Sequence, residues 1–219
     1  DHELTAELAL DQQGRFLAIR VTGYGNMGAY LGNFGLLIAT LNIVKNMVGG
    51  YATPLIEVAM KCVVTNTTPI GPYRGAGRPE GNYFMERLVD TAAAEMGIDK
   101  VELRRRNHIQ PAALPFKAAS GMTYDSGAFT KVLDRALAAS DWAGYAARQA
   151  ESKARGRVRG RGLGAYLEVT GGPSKEMGGL RFEPDGTVTF LTGTLDYGQG
   201  HLTPIAQVLL GKLGIPPDR

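Results

Sequence analysis

Alternating apolar and polar positions at the start of the chain predict a β-hairpin. Two extended runs, Leu4 to Leu10 and Phe16 to Tyr24, are joined by the polar sequence DQQG, in which Gly14 suits a left-handed turn position. A third run, Glu57 to Val64, is rich in β-branched residues and predicts another strand. The first part of the chain therefore contains at least three predicted strands.

Apolar residues at helical spacing predict the helices that follow. One stripe covers residues 37–48 and stops at Gly49. A longer stripe runs from Phe84 to Met96, with Pro79 in a first turn, where proline is tolerated, and Gly97 at its end. This longer stripe predicts a helix directly after the loop TNTTPIGPYRGAGRP.

Capping residues predict three further helices. Asp99 and Glu102 have the spacing of a capping box for the short helix VELRRRN. Ser126 is expected to cap a helix over residues 129–137, and Asp141 to start the next one.

The last part of the chain predicts a strand, a hairpin and a helix. The strand is expected over GLGAYLEVT. Asp185 and Gly186 support a tight turn between two alternating runs, and Thr203 and Pro204 open the final helix.

This order of elements indicates an α+β fold with mixed α/β layers. Residues 112–125 are interpreted as a linker between a first subdomain, residues 1–111, and a second one, residues 126–219. The chain starts inside a predicted strand and stops after Gly214, where Pro216 and Pro217 begin a further element, so we expect a fragment of a longer protein.

Composition narrows the classes of function. The chain has 24 Lys and Arg against 21 Asp and Glu, and a net charge of +3 is too small to predict nucleic-acid binding. No apolar run approaches the roughly 20 residues needed to cross a membrane, so we expect a cytoplasmic protein. The single Cys62 cannot form an internal disulfide, and His2, His108 and His201 lack metal-ligand spacing.

One candidate for ligand binding is Gln199, which lies between Gly198 and Gly200 where a strand gives way to a helix. Its carboxamide offers a hydrogen-bond donor and an acceptor, the glycines allow close approach to the backbone, and a helix N-terminus favours an anion. The alternative is a solvated glutamine in a glycine-rich turn, which this short motif alone favours.

A second candidate is Arg74 in the sequence PYRGAGRP. Gly75 and Gly77 allow sharp bends before the helix, and a guanidinium there suits negative charge on an oxygen. The alternative is an arginine that bridges loop carbonyls, and Arg78 is expected to be structural. Arg104 to Arg106 are interpreted as a solvated helix face or a subunit contact, and RGRVRGRG as a basic turn.

Several stretches resemble one known family. Thr65 to Asn107 is similar to the segment of the molybdenum hydroxylase large subunit that carries the active-site arginine loop and the helix after it. Gly193 to His201 resembles that family's pterin-binding glutamine loop, and YDSGAFTKVLDRAL and RFEPDGTVTFLTGT match its pattern too. The chain is thereby identified as a member of the xanthine dehydrogenase superfamily, and it resembles bacterial aldehyde oxidase or carbon monoxide dehydrogenase-like large chains in particular.

The resemblance implies part of a molybdenum-dependent hydroxylase that oxidises an aldehyde or an N-heterocycle with water as the oxygen source. It implies a catalytic role for Arg74, and cofactor binding by Tyr73, Gly75, Gly198, Gln199 and Gly200. The implied cofactor is molybdopterin, in its cytosine dinucleotide form, with molybdenum. FAD and 2Fe-2S clusters are expected on partner subunits or domains, and the large subunit is expected to form a homodimer.

The resemblance also sets limits. The family's catalytic glutamate lies in a segment that has no match here, and Glu168 and Glu176 do not match its motif, so the chain alone is expected to be inactive. The alternative is a non-catalytic module that docks iron–sulfur and flavin subunits. Carbon monoxide dehydrogenases carry a copper-binding cysteine directly after the loop arginine, where this chain has Gly75, so a mononuclear molybdenum centre is expected.

Overall fold

The three predicted strands form one sheet in the computed structural model, which describes residues 2–169 and 175–219. β1 (His2–Leu10) pairs antiparallel with β2 (Phe16–Asn26), which confirms the hairpin. β3 (Leu55–Val63) lies parallel to β2 and gives the order β1-β2-β3. The α+β fold class is therefore confirmed, because helices cover this sheet as described below.

The turn between β1 and β2 is fixed by two side chains. Asp11 Oδ1 accepts a hydrogen bond from the backbone N–H of Arg15 at 2.8 Å, and Gly14 takes the left-handed φ of +78°. Asn107 donates to the Gly14 carbonyl and accepts from the Phe16 N–H, both at 2.8 Å. Asn107 is buried, so these bonds satisfy its polar atoms and bind the turn to the end of a helix.

The helix predicted over residues 37–48 is two short helices instead, so that prediction was wrong in its continuity. α1 (Gly35–Ile38) ends before Thr40, whose φ of −125° and ψ of −96° break the helix, and α2 (Leu41–Asn46) follows. The Thr40 hydroxyl donates to the Leu36 carbonyl at 2.8 Å. Threonine side chains compete in this way for helix carbonyls, which spacing of apolar residues cannot reveal.

The two helices after the arginine-containing loop are confirmed. α3 (Arg78–Met96) ends at Gly97 in the left-handed conformation, and α4 (Lys100–Asn107) begins after Asp99. Asp99 accepts from the backbone N–H groups of Val101 and Glu102 at 2.9 and 3.0 Å, which are the bonds expected of an N-cap.

These helices cover one face of the sheet and build the core of the first compact unit. Buried residues of β2 meet buried residues of α2, α3 and α4, together with Tyr51 and Ile109. The main members are Phe16, Ile19, Val21, Ile43, Met47, Val48, Phe84, Met85, Val89 and Leu103.

Arg104 is fully buried, so the prediction that it lies on a solvated helix face was wrong. Its guanidinium lies 2.8 Å from Glu86 and 2.9 Å from Asp90, two carboxylates of α3. Burial lowers the pKa of Arg104, but the charge of the Glu86 carboxylate and the hydrogen bonds to Glu86 and Asp90 together raise this pKa above its usual value. Arg104 therefore joins α4 to α3 as a buried cation with two anionic partners.

The segment interpreted as a linker packs within the first unit. β4 (Phe116–Lys117) and β5 (Thr123–Tyr124) form a short hairpin, and the Ala118 and Tyr124 side chains are buried in the core. The described residues divide into compact units at a later point, 2–169 and 175–219.

Two further helices follow this hairpin. α5 (Phe129–Ala139) begins after Ala128 without a side-chain cap, so the prediction that Ser126 caps it was wrong. The Ser126 hydroxyl donates to its neighbour Asp125 instead, at 3.0 Å. α6 (Tyr145–Ala154) follows a turn in which Asp141 accepts from the Gly144 N–H.

No strand forms over residues 162–169, so that prediction was also wrong. The segment is irregular, and α3 side chains bond to its backbone in place of a neighbouring strand. Residues 170–174 of the predicted strand and the loop after it lie outside the described residues.

The second unit contains the predicted hairpin and the final helix. β6 (Gly178–Phe182) pairs antiparallel with β7 (Val188–Thr192), and Gly186 in the turn has φ +82°. α7 (Leu202–Leu213) follows and ends at Gly214. None of the helices within residues 2–169 and 175–219 is long and apolar enough to span a membrane.

Candidate functional site

The loop before α3, residues 71–77, has a backbone that few sequences can adopt, and we call it the arginine loop. Gly75, Ala76 and Gly77 have successive φ values of +97°, +47° and +94°. The Ala76 N–H donates to the Tyr73 carbonyl at 2.8 Å and closes a tight turn around Arg74.

Both glycines of this loop are required by their surroundings as well as by φ. A Cβ on Gly75 would lie 2.5 Å from Cγ of Pro79, and one on Gly77 would lie 2.1 Å from the carbonyl oxygen of Ile38. Gly71, in contrast, has nothing within 4 Å of such an atom. The sequence RGAG thus lets the chain turn tightly against the start of α3.

Arg74 and Tyr73 project from the arginine loop, and both are exposed, Tyr73 to 89%. Within the described part of the chain Arg74 makes no ion pair, whereas Arg78 donates from Nη1 to the Gly75 carbonyl at 3.3 Å. The contact with a loop carbonyl, which was the alternative role for Arg74, is therefore made by Arg78 instead. The Arg74 donors stay available to an anionic or carbonyl ligand.

The second candidate loop, residues 193–201, is exposed along its length apart from half-buried His201, and we call it the glutamine loop. Gly198 and Gly200 have φ values of +96° and +80°. A Cβ at either glycine would meet nothing within 4 Å, so the backbone on both sides of Gln199 is open to a ligand.

The Gln199 carboxamide uses both of its ends inside this loop. Nε2 donates to the Leu195 carbonyl at 2.9 Å and lies 2.7 Å from Nε2 of His201, while Oε1 accepts from the Tyr197 N–H. The carboxamide combines a donor and an acceptor side by side, which is the pairing that a fused amide-like ring such as pterin needs when it takes the place of these internal partners. The residues of the loop fit this group.

The start of α7 adds a second feature to the glutamine loop. His201 precedes the helix, and no side chain caps the helix N-terminus. The Thr203 N–H donates to the Gly200 carbonyl at 3.3 Å, which holds the loop against the first turn. An uncapped N-terminus favours an anionic group, so its chemistry suits the phosphate or dithiolene part of a molybdopterin.

The site residues predicted from the sequence thus lie in two loops. Tyr73, Arg74 and Gly75 share the arginine loop, and Gly198, Gln199 and Gly200 share the glutamine loop. The loops belong to different compact units. Within residues 2–169 and 175–219, no group of three or more His, Cys, Asp or Glu side chains could hold a metal ion.

Sequence interpretation missed one contact beside the arginine loop. Nε of Arg78 lies 3.3 Å from Oε1 of Glu168, and the two side chains form a partly exposed ion pair. The four-residue spacing of Arg78, Asn82 and Glu86 was an available sign of a polar face on α3. The sequence carried no sign that Glu168 faces it.

Two family models match the chain, and both describe a molybdopterin cofactor-binding domain. They match residues 1–108 and 135–219. The first range contains the arginine loop, and the second contains the glutamine loop.

Relatives with known names are similar over almost the whole chain. It is 35% identical, over 97% of its length, to the gamma subunit of the 6-hydroxypseudooxynicotine dehydrogenase complex of Paenarthrobacter nicotinovorans, of which it covers 27%. It is 32% identical, over its full length, to the carbon monoxide dehydrogenase large chain of Hydrogenophaga pseudoflava, of which it covers 29%.

A solved structure shows the same similarity. Quinoline 2-oxidoreductase from Pseudomonas putida 86 matches 97% of the chain with a TM-score of 0.86 and 32% identity, and the match covers 29% of that protein's chain. The chain thus spans less than a third of the length of the relatives it matches.

Proposed function

Because the chain belongs to the molybdenum hydroxylase family, we propose that it supplies the two cofactor-facing loops of a molybdenum-dependent hydroxylase. One observation carries the proposal: each molybdopterin-binding match contains one loop whose glycines take left-handed φ values next to an exposed polar side chain, Arg74 or Gln199. The bound molybdenum cofactor supplies the redox chemistry of such an enzyme, and the protein supplies binding and orientation.

In this proposal Gln199 holds the pterin ring. Its carboxamide exchanges the bonds to Leu195 and Tyr197 for bonds to the ring, and it brings no charge into the site. Gly198 and Gly200 let the ring approach the backbone, because neither has a neighbour within 4 Å of a Cβ position.

Arg74 is the catalytic residue of the proposal. Its guanidinium donates to a substrate oxygen and stabilises the negative charge that develops there, as donors aimed at such an oxygen do in other enzymes. Tyr73 and Gly75 contact the cofactor from the same loop. The exposed Tyr73 ring offers an apolar face, and Gly75 offers a backbone without a side chain.

The substrate class of the proposal is an N-heterocycle, with an aldehyde as the second possibility. Two of the similar proteins are named for compounds that contain a pyridine or quinoline ring, 6-hydroxypseudooxynicotine and quinoline. Carbon monoxide is not proposed, although the large chain of a carbon monoxide dehydrogenase is also similar. Gly75 offers no thiolate, which is the ligand that Cu(I) requires.

We further propose how the chain is assembled. Residues 1–111 and 126–219 are the two binding subdomains of the family's sequence pattern, joined by residues 112–125, since the family matches end at 108 and resume at 135. This division differs from that of the compact units, which falls after residue 169. The cofactor is the cytosine dinucleotide form, FAD and 2Fe-2S clusters lie on partner subunits or domains, and the cytoplasmic enzyme contains two molybdenum-binding chains.

Turnover with isotope-labelled water tests the proposed function. The assembled enzyme that contains this chain should oxidise quinoline or a pyridine in a dye-linked assay and place ¹⁸O from labelled water in the product. The Arg74→Gln variant should lose most of this turnover, whereas Arg105→Gln, on the exposed side of α4, should retain it. Product without the label, or an unaffected Arg74→Gln variant, would contradict the proposal.

A further inference from the structure

One face of α3 carries three polar side chains that are spaced four residues apart. Arg78, Asn82 and Glu86 lie one above the other on this face, as residues at this spacing do on a helix. All three contact the irregular segment 163–168, whose Ala165 and Leu167 side chains pack on the core. The face and the segment therefore run alongside each other.

The side chains of Asn82 and Glu86 bond to the backbone of segment 163–168. Oε2 of Glu86 accepts from the Ala165 N–H at 2.7 Å. Oδ1 of Asn82 accepts from the Leu167 N–H at 3.3 Å, and its Nδ2 donates to the Leu167 carbonyl at 3.2 Å. These bonds replace those of a partner strand and fix the register of the segment against α3.

The start of segment 163–168, which is its end far from the arginine loop, is anchored in the core. Arg104, which is fully buried, donates to Glu86 at 2.8 Å and to the Leu163 carbonyl at 3.2 Å. The Tyr51 hydroxyl donates to the other oxygen of Glu86, and burial raises the pKa of Tyr51, so this donor keeps its proton. The segment is thus held to a buried ionic group.

The other end reaches the arginine loop. Glu168 lies 3.3 Å from Nε of Arg78, and the Arg78 side chain bonds to the Gly75 carbonyl from Nη1 at 3.3 Å. The backbone N–H of Arg78 donates to the same carbonyl at 3.2 Å. One guanidinium therefore bridges the segment and the residue that follows Arg74.

From this geometry we propose that Arg78 and Glu168 are positioning residues that hold the arginine loop in the conformation that presents Arg74. Glu168 orients the planar guanidinium of Arg78, and the guanidinium fixes the Gly75 carbonyl next to Arg74. A lysine cannot do the same, because it lacks the two separate donor directions of the guanidinium. The inference rests on the proposed role of Arg74 only where it concerns turnover.

Hydrogen exchange in the assembled enzyme tests this inference. The readout is a peptide covering residues 71–80, which contains the amides of Ala76 and Arg78. In the Glu168→Ala variant these amides should exchange about two- to fivefold faster than in the unchanged enzyme, as expected for loss of a partly exposed ion pair. Glu168→Gln should have a similar effect, because the contact is an ion pair in which Arg78 Nε donates no hydrogen bond to Glu168, and the amide carries no charge. Residues 99–108, which are α4 and its two cap residues, should exchange at the original rate in both variants.

Turnover and metal content complete the experiment. Glu168→Ala and Arg78→Lys should lower kcat severalfold while molybdenum per chain and KM stay unchanged. The matched control is Asp134→Ala, which breaks the exposed ion pair of Asp134 with Arg105 elsewhere in the same unit. This variant should leave kcat, KM and molybdenum per chain unchanged.

Unchanged exchange at residues 71–80 in Glu168→Ala would overturn the inference, whatever happens to turnover. Faster exchange with lower kcat would support both the inference and the proposed function. Faster exchange with unchanged kcat would support the positioning of the loop and would count against the catalytic role of Arg74.

Discussion

Gln199 carries the cofactor-binding proposal at the scale of single residues. Both ends of its carboxamide already have partners in the glutamine loop, Leu195 and Tyr197, so the side chain is held in place before any ligand arrives. A pterin ring that replaces these partners leaves the Leu195 carbonyl and the Tyr197 N–H to water, because both residues are exposed, and the flanking glycines admit the ring.

We predict that Gln199→Ala lowers the fraction of enzyme that carries the cofactor. Alanine leaves the facing donor and acceptor of the pterin unpaired, at a cost of about 1 to 3 kcal/mol for each buried group. The measurement is molybdenum and pterin per chain in the purified enzyme. Gln207→Ala on α7, an exposed glutamine of the same unit, is the control and should keep full occupancy. Full molybdenum content and normal turnover in Gln199→Ala would reduce Gln199 to a turn residue.

His108 makes the stability of the chain depend on pH. It is 4% exposed and stacks on the Tyr51 ring with centroids 5.4 Å apart. Burial, reinforced by the positive charges of Arg104 and Arg105, lowers the pKa of His108 to about 4. As pH falls below about 6.5 the unfolded chain takes up this proton first, so stability is lost as pH falls from there towards 4.

The predicted loss from His108 is about 2 to 3 kcal/mol of unfolding free energy between pH 7 and pH 4.5. Denaturant unfolding of the protein and of His108→Gln at the two pH values measures it. The variant should be less stable at pH 7, because a buried packed ring is lost, and its stability should fall less on acidification. The same pH dependence in both proteins would contradict the assignment.

At the scale of elements, the sequence predicted those whose signals are local. α3 has an apolar stripe, Pro79 in its first turn and Gly97 at its end, and it was predicted correctly. The break at Thr40 was missed because it depends on a hydroxyl bond to Leu36. The strand predicted over residues 162–169 does not form, because the backbone of this segment bonds to α3 side chains, which its own sequence does not reveal.

In the candidate site too, the features with local sequence signals were predicted and those that depend on distant residues were not. The sequence identified Arg74 and Gln199 as candidates because glycines and a helix start lie beside them in the chain. It did not reveal that Glu168 faces Arg78 or that Arg104 is buried, since both depend on residues distant in the chain. Glu86, the partner of Arg104, lies 18 residues earlier.

We predict a large difference between two adjacent arginines of α4. Arg104→Ala leaves Glu86 and Asp90 without their buried cation and should cost about 3 to 5 kcal/mol of unfolding free energy. Arg105→Ala removes only an exposed pair with Asp134 and should cost less than about 1 kcal/mol. Denaturant unfolding of the two variants measures both values. Equal losses would show that the buried network does not join α3 to α4 as described.

At the scale of the whole molecule, cofactor binding is expected to be a property of the assembled enzyme. The arginine and glutamine loops are largely exposed within their own units, and the chain spans less than a third of the length of the relatives it matches. A buried pterin needs further walls around it. We therefore expect the two loops to supply specific contacts, and the rest of the enzyme to supply enclosure.

We propose that this chain belongs to a hydroxylase with a mononuclear molybdenum centre. Gly75 follows Arg74 directly and provides no sulfur, and Cys62 lies in β3 rather than in the arginine loop. The most direct measurement is the molybdenum, pterin and copper content of the purified enzyme, per copy of this chain. The prediction is one molybdenum and one pterin with no stoichiometric copper. Absence of molybdenum and pterin, as expected of a docking module, or one copper for each molybdenum, would contradict the claim.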